Sequence, residues 1–197
     1  MLGGLIFKVA NPAEQALAVA LRAQVYIRDL GTLPKDELDQ TAHHLVALNE
    51  TGEVVGAVRL VGPEGRPFDL EQFVPLSSFL PEGNAVGLIG RLCVRPDYRT
   101  VSQRLFVQAG ILKLTYLFSR RRQITDLIMY TYPNLINFYR GALFSLVGIS
   151  FAHPYWGDVH VMHLDLQRLH TRCTTNHSPL SNFLLAPAGD NFIINET

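Results

Sequence analysis

Three groups of residues in this 197-residue chain have types and spacings that could do chemistry. Arg59 is the only charge in the apolar run 54–60. A guanidinium in such a strand needs a carboxylate or a fork of carbonyls, because a buried unpaired charge is too costly to keep. It either forms a structural ion pair with Asp36, Asp39 or Asp69, or it holds the carboxylate of a small substrate. Arg22 and Tyr26, four residues apart, share one face of a helix and either border a pocket or stand in solvent. Arg28 lies about 240° round from Arg22 and points elsewhere. The segment 95–122 sets Arg95, Arg99, Arg104, Lys113, Arg120, Arg121 and Arg122 against Asp97 alone, a local charge of +6 in a chain whose formal charge is zero. Such an asymmetry predicts an anion-binding surface on one helix face and the turn before it. No stacking aromatics are interleaved with these charges, so nucleic acid is a poor partner.

These residues must be carried by regular elements, and the sequence marks several. Asn11-Pro12-Ala13-Glu14 combines an N-cap acceptor, a proline at the first helical position and a capping-box glutamate. An Ala-rich helix follows to Leu30, with Gly31 as its terminator. Apolar runs at 45–48 and 54–61 flank Glu50-Thr51-Gly52-Glu53 and predict a hairpin. Residues 62–84 are rich in Pro and Gly but carry Phe68, Phe73 and Phe79, which predicts a long loop tucked onto a sheet. Strands are expected at 85–95, 124–131, 144–151 and 159–166, with helices at 102–118 and 134–140. Gly87 and Gly90 mark a bulge or a close backbone approach in the first of these strands. The order predicts an α/β fold with one mixed sheet and helices on both faces. Residues 169–197 are weakly patterned and are expected to form an arm beyond a domain at 1–168.

Composition narrows the class. Apolar residues make up 48% of the chain and charged residues 17%, which suits one dense core. Cys93 and Cys173 lack metal-ligand or redox spacing, so neither a disulfide framework nor a zinc knuckle is expected, and a reducing cytoplasm is the expected setting. No secretion signal is evident, and the longest apolar stretch, 141–152, is too short to cross a bilayer.

Arg91-Leu92-Cys93-Val94-Arg95-Pro96-Asp97-Tyr98-Arg99 resembles the acyl-donor motif of the GCN5-related N-acyltransferase superfamily. The segment 134–144, NLINFYRGALF, is similar to its second motif, a short helix with a tyrosine before the next strand. Arg22, Tyr26 and Arg28, then Asp39 and His43, then Gly56-Ala57-Val58-Arg59-Leu60 narrow the likeness. Together they resemble the FeeM-type long-chain N-acyl amino acid synthases, relatives of the LuxI-type acyl-homoserine-lactone synthases. The resemblance spans about 22–166.

This resemblance implies direct transfer: an amine attacks a fatty acyl thioester lying between two splayed strands, 85–95 and 124–131, without a covalent enzyme intermediate. It places the pantetheine arm along Leu92, Cys93 and Val94, with Arg99, Arg104 and Asn134 beside the donor and backbone N–H groups on the oxyanion. Tyr139 takes the place of the acid that protonates the leaving thiolate. Arg91, His43 and Asp39 join it as catalytic candidates, and His44 is a further candidate for a water-linked base. Arg59 or Arg28 would clamp the acceptor carboxylate beside Arg22, and Tyr26, Phe138, Tyr155 and Trp156 would wall the acceptor, tyrosine being favoured. The turn at 99–104 lacks the glycines that cradle a pyrophosphate, which favours an acyl carrier protein as donor. Lys113, Arg120, Arg121 and Arg122 would then dock that carrier. No metal or resident cofactor is expected, only the acyl-phosphopantetheine cosubstrate. Leu88 stands where the lactone synthases carry a glutamate. The alternatives are a lactone synthase, a catalytically silent carrier-protein or acyl-lipid binding module, and an acetyltransferase using acetyl-CoA.

Overall fold

The computed structural model describes residues 4–32 and 37–194. They form an α/β fold with a mixed sheet, in two units between which two strands and one helix are divided.

The first unit comprises residues 1–60, 91–118 and 186–197. It holds β1 (Ile6–Val9), α1 (Pro12–Leu30), β2 (His43–Leu48), nearly all of β3 (Val54–Val61), the second half of β4 (Val86–Val94), most of α2 (Val101–Arg121) and β8 (Phe192–Ile193). The capping box at Asn11 and Glu14 is formed, and Gly31 closes α1 at φ 70° with its N–H on the Ile27 carbonyl. β8 runs parallel to β1, β1 antiparallel to β2, and β2 antiparallel to β3. The two-residue period of the strands sorts their side chains. Val46, Leu48 and Ala57 pack with Ala18, Leu21 and Val25 of α1. On the other face, a Cβ at Gly56 would stand 2.4 Å from Val107 of α2, and one at Gly110 would stand 2.0 Å from the Phe7 ring. Two glycines therefore let α2 lie close against the strands, and helices cover both faces of this unit.

The second unit comprises residues 61–90 and 119–185. β4 is parallel to β5 (Asp126–Thr131), which is antiparallel to β7 (Gly157–Asp165), itself antiparallel to β6 (Ser145–His153). α3 (Ile136–Gly141) precedes β6, and α4 (Leu166–Thr175) and α5 (Pro179–Leu185) follow β7. The loop 62–84 contains three short 3-10 turns and is pinned by Phe68 and Leu70, both buried, and by Tyr130, whose hydroxyl donates to Asp69 at 2.8 Å.

The structure adds elements that the pattern reading lacks. β1 is one, and α4, α5 and β8 occupy residues expected to be weakly patterned. α4 has a legible start, since the Asp165 side chain accepts the Arg168 N–H. Its stripe of Leu166, Leu169 and Cys173 is buried. Among the described residues no helix is long and apolar enough to cross a membrane.

Candidate active site

In the second unit, β4 and β5 are registered at Val86–Asp126, Gly87–Leu127 and Leu88–Ile128, and there the pairing stops. β5 continues to pair with β7 as far as Thr131. The expected splay is therefore present, and it opens immediately beyond Leu88. Leu88, the last residue of β4 paired with β5, is buried. Further along β4, in the first unit, Arg91 takes φ 61°, the left-handed conformation that costs a side-chain-bearing residue about 1–2 kcal/mol. The left-handed position of β4 is thus Arg91, and neither Gly87 nor Gly90 takes a positive φ.

Leu92, Cys93 and Val94 continue β4 as expected. Burial pushes the Cys93 thiol up to about 12, which leaves it protonated and excludes it as an acyl-accepting nucleophile near neutral pH. Arg99 donates through Nε to the Val94 carbonyl at 2.9 Å and through its fork to Asp29 at 2.7 Å. Arg104 is exposed in the first turns of α2, and Asn134 is exposed in the turn before α3.

Tyr139 stands on α3, edge-to-face with Phe138 at 4.9 Å and with Phe144 at 6.3 Å. Part of its surface stays open, yet the protein around its phenol is dense enough that burial pushes the pKa up to about 12. The phenol therefore stays protonated. Full transfer of its proton to a thiolate at ~8.5 would run uphill by on the order of 5 kcal/mol. Donating a hydrogen bond without giving up the proton has no such cost.

The first unit assembles Arg22, Asp39, His44 and Arg59. Arg22, buried on α1, donates from both terminal nitrogens to the Asp39 carboxylate, one bond measuring 2.8 Å. Arg59, 1% exposed, brings a terminal nitrogen to 3.8 Å from the same carboxylate. Of the acids expected to pair with Arg59, Asp39 is the one observed. Asp69 is taken by Tyr130, and Asp36 lies outside the described residues. His44 is registered directly opposite Arg59 and sets Nε2 3.8 Å from Asp39. Burial lowers the His44 pKa, the Asp39 carboxylate opposes the shift, and the Arg22 and Arg59 cations reinforce it. His43 faces away, its ring 4.9 Å from that of Phe118, so the strand period separates the two histidines. Tyr26 packs partly buried against the α1 core, whereas Arg28 is exposed and bonded to Asp29.

Two expectations are corrected. Lys113 is not on a docking surface: it is 2% exposed, donates to the Ala186 and Pro187 carbonyls at 2.9 and 3.4 Å, and lies over the Phe192 ring. Nor do the basic residues form one open helix face. Arg95 is bonded to Glu53 and Asp97, Arg99 to Asp29, and Arg122 to Glu64, while Arg120 contacts His170 at 3.1 Å. Acids distant in sequence neutralise much of a charge that a linear count leaves bare. Arg121 is exposed at the last turn of α2.

Phe73, Tyr155 and Trp156 meet Phe151, His153 and Tyr130, which the sequence reading did not single out, in an aromatic cluster on the loop-bearing face of the second unit. His153 lies 5.4 Å from Tyr130, 5.6 Å from Phe73 and 6.0 Å from both Tyr155 and Trp156, and Phe73 stacks on Phe151 at 4.7 Å. Trp156 is buried here and Tyr155 exposed. The one advance signal was the density of aromatic residues at 151–156. The cluster also holds Tyr130, the next residue on the same face of β5 after Ile128, where the pairing with β4 ends.

A sequence model of the family described as N-acyl amino acid synthase FeeM matches residues 18–165. No curated protein matches the chain. Among solved structures, FeeM, an N-acyl amino acid synthase from uncultured soil microbes, superposes with a TM-score of 0.74 at 14% identity, covering 85% of this chain and 93% of its own. BjaI, a CoA-dependent acyl-homoserine lactone synthase, gives 0.72 at 17% identity, over 98% of this chain and 95% of its own. A putative N-acetyltransferase from Lactobacillus plantarum gives 0.59 at 21% identity, over 82% and 97%. At these identities the structural likenesses establish the fold.

Proposed function

This chain belongs to the FeeM family of N-acyl amino acid synthases, an acyltransferase family, and from that premise we propose that it moves a long-chain fatty acyl group from an acyl carrier protein thioester to the α-amine of an amino acid, tyrosine being favoured. The observation that carries the reading is the parting of β4 and β5 after Leu88 and Ile128, which frees a strand edge for the amide groups of a pantetheine arm. The amine lone pair attacks the thioester carbonyl and forms the C–N bond. Backbone N–H groups hold the oxyanion, the C–S bond breaks, and the sulfur leaves against the Tyr139 hydroxyl. The ammonium proton departs through water, and no resident cofactor or metal is needed. The carrier is favoured over free CoA because the turn at 99–104 has no glycine with which to wrap a pyrophosphate. A cytoplasmic setting goes with that donor.

The test is mass spectrometry after incubation with acyl carrier protein thioesters and mixed amino acids. An N-acyl amino acid is expected, and its absence with every acceptor would sink the reading. Tyr139→Phe should lower kcat by about 10²-fold with little change in donor KM, as for a group that acts on the leaving atom. An unchanged kcat removes Tyr139 from the mechanism. A second reading, a lactone synthase, has the likeness to BjaI behind it. Leu88 weighs against it, and a lactone product from S-adenosylmethionine would decide for it.

A further inference from the structure

Eight large apolar side chains are exposed among the described residues, and the second unit holds two of them, Phe73 at 37% and Tyr155 at 63%. Single exposed apolar residues need no explanation, but these two share a neighbour. The His153 ring lies 5.6 Å from Phe73 and 6.0 Å from Tyr155, so the three rings form one patch held at ring-packing distances. Two further rings adjoin it, Phe151 at 4.7 Å from Phe73 and buried Trp156 at 6.0 Å from His153. Tyr130, 5.4 Å from His153, carries the patch to β5, at the next position on the same face after Ile128, where the pairing with β4 ends. The patch is thus continuous with the opening that takes the thioester in the proposed reaction. Two exposed rings are far fewer than the ~20–30 residues a side of a stable protein interface, so a small ligand suits them better. An incoming ring also gains about 0.5–1.5 kcal/mol per aromatic pair beyond the area it buries, an advantage that an aliphatic chain lacks.

We propose that Phe73, His153 and Tyr155 seat the aromatic side chain of the acceptor amino acid, and so set a preference for a ring over an aliphatic side chain. The assignment rests on the proposed transfer to an amino acid. Of the rings expected to wall the acceptor it keeps Tyr155 at the seat and Trp156 beside it, and it adds Phe73 and His153 as residues that decide specificity.

Trp156 is the only tryptophan of the chain, so its emission reports on this patch alone. The test titrates wild type, Phe73→Leu, Tyr155→Leu and Tyr155→Phe with N-dodecanoyl-L-tyrosine and with N-dodecanoyl-L-leucine, two probes that share chain and carboxylate and differ only in the side chain. Both substituted residues are exposed, so the changes open no cavity in the core. Wild type is expected to bind the tyrosine probe about tenfold more tightly than the leucine probe. Each change to leucine should remove most of that ratio, and Tyr155→Phe, which keeps the ring, should retain it. With free amino acids as acceptors, the ratio of kcat/KM for L-tyrosine over L-leucine should fall in parallel while donor KM stays unchanged. Equal affinity of wild type for the two probes, or no change of emission with either, overturns the proposal. So does a ratio that survives in either leucine variant, or an equal loss with both probes, which would mark the rings as structural. Failure of the parent reading looks different: no N-acyl product forms with any acceptor, whatever the two probes show.

Discussion

Asp39 gathers more of the first unit's buried charge than any sequence spacing suggested. Its carboxylate takes both terminal nitrogens of Arg22, stands 3.8 Å from Arg59 and the same distance from His44. Removing one partner of a buried pair is costly because the other charge remains out of water. Asp39→Asn should therefore lower unfolding free energy by about 3 kcal/mol, the low end of the usual range because Asp39 keeps some contact with water. Urea denaturation would measure this, and a loss below about 1 kcal/mol would show that the guanidiniums are held by other groups. His44 makes a pH-dependent prediction. Its pKa is lowered in the fold, so below pH ~6.5 the unfolded chain binds a proton that the native one refuses. Stability from this residue is complete above that pH and falls as pH drops through the window beneath it. His44→Gln should flatten the acid limb of Tm against pH relative to wild type. Parallel curves would mean that His44 does not titrate differently on folding.

Elements are positioned here by close approaches as much as by propensity. α2 carries its buried residues Val107, Gly110, Ile111 and Leu114 toward the strands, and Phe7 of β1 fills the space that a side chain at position 110 would need. Gly110→Ala gains helix propensity but forces Phe7 or α2 to move, and overpacking of this kind costs about 1–3 kcal/mol. A net loss of stability is expected by thermal denaturation. A gain would show that Phe7 yields freely. The same neighbourhood explains why β8 was invisible in the sequence. Two residues have no usable period, and their strand exists because Phe192 stacks on Phe7 at 5.1 Å, beneath the ammonium of Lys113. By contrast α1 was legible at both ends, since its cap and its terminator are local chemistry.

At the scale of the molecule, zero net charge conceals a redistribution. Of the seven basic residues between positions 95 and 122, one is buried and three are bonded to carboxylates, so the uncompensated charge is smaller and more local than the sum of +6. What remains should still steer an acidic donor, and steering is screened by salt. Raising ionic strength from 50 to 500 mM should reduce kcat/KM for a carrier-linked donor by about tenfold, while leaving acyl-pantetheine nearly unaffected. Equal salt profiles would remove electrostatics from donor choice.

The linear chain determined whatever short-range physics decides: the cap of α1, the hairpin of β2 and β3, and the periods of α2 and β7. It also specified that Leu88 offers no base. Tertiary structure alone decided which acid meets Arg59, which of two adjacent histidines faces Arg22, that Lys113 is inside, and where β4 leaves β5. Each of those depends on residues brought together from far apart in the chain, and burial then sets both the charge state and the reach of the groups concerned.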